Sequence, residues 1–125
     1  MTARYLLDAS AVLAWLHDEP GRDRVEAALE ESVLSAVNAA EVMHKLVSRG
    51  ATPQHAREIL DRALIPTVEL TAEIARRMAD LSPMAGLSLG DRACLATAQT
   101  MGLLALSADR RWADLPLAGS FELIR

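Results

Sequence analysis

Tyr5-Leu6-Leu7 is a short apolar run that stops at a carboxylate, Asp8, and passes into the small residues Ala9 and Ser10. A run that is apolar at consecutive positions suits a strand covered on both faces, as in the middle of a parallel sheet. Open parallel sheets bind their ligands at the carboxyl ends of the strands. Asp8 therefore stands where chemistry is expected, although an Asp after a strand also serves as a turn residue or a helix cap. The choice depends on whether other carboxylates converge on it.

The rest of the chain alternates helix and strand signals. Ala9 to Leu16 reads as a short helix, broken by His17-Asp18-Glu19-Pro20-Gly21. A second helix is expected over Asp23 to Glu31 and a brief strand over Val33 to Ser35. Asn38 then opens a third helix ending near Gly50. Thr52-Pro53 is a strong helix start, and that helix runs on toward Pro66. A short strand at Thr67 to Glu69, a helix from Thr71 to about Leu81 and a loop over Ser82 to Gly86 follow. The helix from Ser88 to Thr100 is small and apolar nearly all round, so it should be buried. Leu103 to Leu106 and Phe121 to Ile124 are the last strands, the latter at an edge. Strands alternating with helices imply an α/β/α sandwich on a mainly parallel sheet.

A chain of 125 residues makes one domain, spanning residues 1–125, with a single sizeable core. Its one Cys excludes an internal disulfide. Asp8, Asp18 and Glu19 interrupt what would be a signal peptide, and no apolar run approaches a membrane span. A soluble, cytoplasmic protein is expected. The net charge of −4 argues against a general nucleic-acid coat, which must neutralise phosphates. It leaves room for a nucleic-acid enzyme that engages its substrate through metal ions and local arginines.

Four acids lie at element ends. Asp8 follows the first strand and Asp109 a later one; Glu41 and Asp91 lie in the first turns of their helices. Each has a structural alternative. Asn38-Ala39-Ala40-Glu41 and Ser88-Leu89-Gly90-Asp91 both fit a capping residue with an acid three positions on, and Asp109 suits the cap of the turn Arg110-Arg111-Trp112. Jointly they suggest more. Asp91 heads the least polar helix of the chain, where an acid is costly unless used. Carboxylates gathered in one crevice repel one another, and some stay protonated unless a cation joins them. Mg²⁺ or Mn²⁺ fits an all-carboxylate site without Cys or His, and metal-dependent phosphodiester hydrolysis is the chemistry such a site supports.

The ordered set LLDAS, NAAEV, SLGDRACLA and LSADRRW resembles the PIN-domain family, in particular the VapC-like toxins of type II toxin–antitoxin systems. The likeness spans nearly the whole chain. It implies a PIN-like three-layer sandwich and an endoribonuclease that cleaves RNA with metal-activated water. It assigns Asp8, Glu41, Asp91 and Asp109 to the metal, with Ser10, Asn38 and Ser107 supporting them by hydrogen bonds. It also implies a homodimer silenced by a cognate antitoxin, in a hetero-oligomer with it. Ser107 departs from the Thr common at that position but keeps the hydroxyl. Asp114 competes with Asp109 as the late acid, and Asp109 is preferred as nearer the strand end.

Arg92, Arg110 and Trp112 are candidates for contact with substrate or antitoxin, Trp112 being equally suited to packing. Trp15 and Cys94 read as core, and His17, His44 and His55 have no catalytic context. A receiver domain would need a Lys after a late strand, but the only Lys is Lys45, in a helix. A dehalogenase-like phosphatase would need an acid at Ser10. The remaining alternatives are a non-catalytic PIN-fold interaction module and a nuclease acting on DNA.

Overall fold

β1 (Tyr5–Leu7) lies at the centre of a five-stranded sheet and pairs in parallel with strands on both sides. The chain, described by a computed structural model over residues 2–117 and 119–125, forms β2 (Ser32–Ser35), β3 (Thr67–Val68), β4 (Leu104–Ser107) and β5 (Phe121–Leu123) in the order β3-β2-β1-β4-β5. Every pairing is parallel. The expected sandwich is thus present, with its last strand at an edge.

Both faces of the sheet are covered, which is why its central strands are apolar at every position. Leu6, Val33 and Ala105 point to one side, where they pack with α5 (Ala72–Met78) and α6 (Leu89–Met101). Leu7, Leu34 and Leu106 point to the other. There they meet α1 (Ala9–Leu16), α2 (Arg22–Ala28), α3 (Ala36–Ser48) and α4 (Pro53–Arg62). Leu6, Leu7, Leu34 and Leu106 are fully buried. Truncating one of them to Ala would cost about 2–5 kcal/mol.

Several boundaries differ from expectation for identifiable reasons. The second helix tightens into a 3₁₀ turn at Leu29–Glu31, and the Ser32 hydroxyl donates to the Ala28 carbonyl as the chain turns into β2. The third helix begins earlier than Asn38, because Ser35 at the end of β2 caps it by accepting from the Val37 N–H. Asn38 is instead buried inside the first turn, so the expected cap at Asn38 is corrected. The fourth helix stops at Arg62 rather than near Pro66, with Leu64 in the left-handed region at φ 56°. Among the described residues no helix is long and apolar enough to cross a membrane.

Strand order reverses between β1 and β4: one crossover leaves β1 toward β2, and a later one returns to its other side. Ligand crevices of open α/β sheets lie at such a reversal, beyond the carboxyl ends of the strands. Asp8 follows β1 at this edge, and Ala108 and Asp109 follow β4.

Candidate active site

Asp8 is 4% exposed, the most buried acid among the described residues. The Ser10 hydroxyl donates to Asp8 Oδ2 at 2.6 Å and the Ser107 hydroxyl donates to the same atom at 3.1 Å. Ser10 in turn accepts from the Ala108 N–H at 2.9 Å, and Ser107 from the Asp109 N–H at 3.0 Å. The loop after β4 is therefore tied to the carboxylate after β1. With both hydroxyl protons spent on Oδ2, Oδ1 has no hydrogen-bond partner among the described residues.

Burial pushes the Asp8 carboxyl up to about 6, and the negative charges of Asp91 and Glu41 push the same way against the two serine hydrogen bonds. Asp8 thus feels the charge of two of the other three acids across the crevice. The means of approach is Gly90. A Cβ there would collide with the Glu41 carboxyl group, so α3 and α6 bring Glu41 against the residue preceding Asp91 only because that residue has no side chain. Asn38 fixes the arrangement: its amide donates to Glu41 Oε1 at 2.7 Å and to the Gly90 carbonyl at 3.2 Å. Its own Oδ1 is buried without a partner.

Asp91 keeps both readings that its position allowed. The Ser88 hydroxyl accepts from the Asp91 N–H at 3.1 Å, and Asp91 Oδ2 accepts from the Ser88 N–H at 2.9 Å, a complete capping box. One oxygen is spent on the helix end; the residue is 7% exposed, and its charge is felt by Asp8. Asp109 also caps, accepting from the Arg111 N–H at the head of the 3₁₀ turn Arg110–Asp114. Its carboxylate is clamped by the Arg111 guanidinium, Nη2 to Oδ2 at 2.6 Å, which holds it below the usual carboxylate range. Asp114 lies exposed at the far end of that turn, away from the hydroxyl relay that links Asp8 to Asp109.

The donor chemistry of this crevice fits a hard divalent cation. It offers oxygen donors and no Cys or His, and a cation would offset the burial and the like charges that raise Asp8. Asp8, Glu41, Asp91 and Asp109 are the residues that would hold it. Among the described residues no three acids, histidines or cysteines are yet close enough together to bind one ion as their side chains stand. The larger clefts lie elsewhere. One, of about 600 Å³, opens at the opposite end of the sheet by Arg4 and Leu104 and carries no titratable cluster.

Of the contact candidates, Trp112 is corrected. It is 1% exposed, its ring edge-on to Phe121 with centroids 5.6 Å apart, because the 3₁₀ turn folds it back onto the sheet. It packs, and no substrate can reach it. Arg110 is exposed and Arg92 half-buried with its Nε unpartnered. Trp15, expected in the core, is half-buried with its indole N–H donated to Glu26, whereas Cys94 is buried as expected. Ser35, Gly90 and Arg111 were not singled out from sequence. Only Gly90 carried a signal, since Gly is unfavourable in a helical turn unless something must come close.

The family model for the PIN domain matches residues 5–117. The chain belongs to the PIN domain family. Solved structures with this PIN fold include a toxin–antitoxin complex from Klebsiella pneumoniae, 21% identical, with a TM-score of 0.77 over 97% of this chain and 98% of that one. DNA-bound VapBC from Salmonella typhimurium is 13% identical, with a TM-score of 0.76 over 99% and 100%. Mycobacterium tuberculosis VapC20, described as a Sarcin-Ricin loop cleaving toxin, is 16% identical, with a TM-score of 0.71 over 91% and 96%. The resemblance to VapC-like toxins therefore holds in the fold. Comparison with curated proteins gives no match.

Proposed function

We propose that this PIN protein is a metal-dependent endoribonuclease, the toxin of a toxin–antitoxin pair, acting in the cytoplasm. The observation that carries this reading is the buried Asp8 at the strand-order reversal, raised to about 6 by burial and further by the charges of Asp91 and Glu41. Acids that exist only to cap helices have no reason to face one another in a buried crevice. The PIN fold shared with VapBC toxins supports the same reading.

Mg²⁺ or Mn²⁺ would supply the Lewis acid for hydrolysis of an RNA phosphodiester. The protein's own contribution is positioning. Ser10 and Ser107 hold Asp8 Oδ2 and leave Oδ1 for the cation. Asn38 holds Glu41, and the capping box orients Asp91. Arg92 and Arg110 flank these acids in sequence and are the side chains suited to the phosphate backbone or to an antitoxin. The protein would form a homodimer and be silenced in a hetero-oligomer with its antitoxin.

The test is cleavage of total cellular RNA by the purified protein with Mg²⁺, with Mn²⁺ and with chelator, beside Asp8→Asn. Cleavage that needs the cation and disappears in the variant is the expected result. Cleavage of DNA alone would change the substrate. No cleavage of any RNA class by folded, antitoxin-free protein would favour a partner-binding module.

A further inference from the structure

Asp109 is held differently from the other three acids. Arg111 donates Nε to Oδ1 at 3.0 Å and Nη2 to Oδ2 at 2.6 Å, and its backbone N–H reaches Oδ1 at 3.0 Å. Both oxygens of the carboxylate are engaged by one residue. None of Asp8, Glu41 and Asp91 has such a cation among the described residues. The Asp109 side chain is 17% exposed and that of Arg111 73%, so the guanidinium approaches from the solvent side. The charge on Arg111 is favoured first by Asp109 and further by Asp91 and Asp8, whose field it therefore shares.

We propose that Arg111 is an internal counter-ion of the candidate metal centre, holding Asp109 until a divalent cation displaces it. The inference rests on the reading of the four acids as a metal site and adds a control to that site. A guanidinium and a divalent cation compete for one carboxylate, because both are attracted to it and each repels the other. The planar fork of Arg suits such a clamp, since it covers both oxygens at once; a Lys in its place would offer a single point charge. An exposed ion pair is weak, so the clamp sets a threshold of cation concentration and does not block the site outright. Arg111 is the second residue after Asp109, so the 3₁₀ turn keeps the displaced guanidinium tethered beside the crevice.

The experiment is a calorimetric titration of Mg²⁺ into the metal-free, full-length protein, comparing wild type, Arg111→Gln, Arg111→Lys and Asp8→Asn. The arginine Nε–H resonance of Arg111 is followed by NMR in wild type during the same titration. Arg111→Gln should bind Mg²⁺ about 3–5-fold more tightly, the range an exposed pair allows. Arg111→Lys should fall between it and wild type, and the Arg111 resonance should shift as the cation saturates. Equal or weaker binding by Arg111→Gln, or an unmoved resonance at saturation, would overturn the clamp. If Asp8→Asn still lost binding in that case, the metal centre itself would stand. Absence of Mg²⁺ binding in wild type and Arg111→Gln alike would remove the metal centre and the clamp together.

Discussion

Ser10 and Ser107, 97 residues apart in the chain, lie with their hydroxyls 3.2 Å from each other and share one acceptor, Asp8 Oδ2. Neither hydroxyl is free to bond the other, because both protons go to the carboxylate. Each hydroxyl also receives a backbone N–H from the loop after β4.

Removing either hydroxyl should therefore act twice. Ser10→Ala or Ser107→Ala leaves a loop N–H without its acceptor, at a cost of about 1–3 kcal/mol. It also raises Asp8 further and loosens it, which should lower RNA cleavage about 10–100-fold. Ser107→Thr keeps the hydroxyl and should retain most of the activity. Thermal melts and initial cleavage rates separate the effects; a Ser107→Ala variant as active as wild type would deny the relay its role.

Gly90→Ala separates site from fold. Alanine is favoured over glycine in a helix by about 1 kcal/mol, and the atoms its Cβ meets are the flexible end of Glu41. Stability should change by less than about 1 kcal/mol, while Glu41 swings away from Asn38 and cleavage falls sharply. Undiminished cleavage by this variant would show that Glu41 does not need that position.

The raised carboxyl of Asp8 makes a pH prediction for the metal-free protein. Between its ordinary value of 3.8 and about 6, the folded chain holds a proton that the unfolded chain has released. Stability from this group is full below that window and is lost as pH rises through it, by about 2–3 kcal/mol. Asp8→Asn cannot lose it, so in chelator the variant should gain on wild type between pH 4 and 7. Urea denaturation at both ends of that range measures the difference; parallel behaviour of the two proteins would mean that Asp8 is not raised.

Asp91 should show its two roles through two substitutions. Asp91→Asn keeps an oxygen for the Ser88 N–H, so the helix start should survive while cleavage is lost. Asp91→Ala loses the reciprocal half of the capping box as well, and should cost about 1 kcal/mol more in stability. Equal stability of the two variants would remove the capping contribution.

The sheet, its central strand and the placement of four acids at element ends are legible because each depends on a local signal. Tyr5-Leu6-Leu7 is apolar without alternation, Ser88 and Asp91 have capping spacing, and Asp109 precedes a turn. What depends on contact between distant elements is not. The neighbours of Asn38 suit a cap, yet Ser35 takes that task and frees Asn38 to reach Gly90 on another helix. Trp112 beside two arginines suggested a substrate contact, but whether an indole turns inward is decided by Phe121, on the next strand. The Arg111 clamp joins near neighbours, yet i and i+2 pairing has no fixed meaning outside regular structure.

The placement of β1 between β2 and β4 also has a bearing on how the protein is made. Asp8 is synthesised 99 positions ahead of its partner Ser107. Until β4 emerges and docks, the early carboxylate lacks the Ser107 hydroxyl and the Asp109 carboxylate that follows it. Pairing over such a separation is slow to form. A nascent chain that lacks β4 therefore cannot assemble the crevice, whatever chemistry the folded molecule performs there.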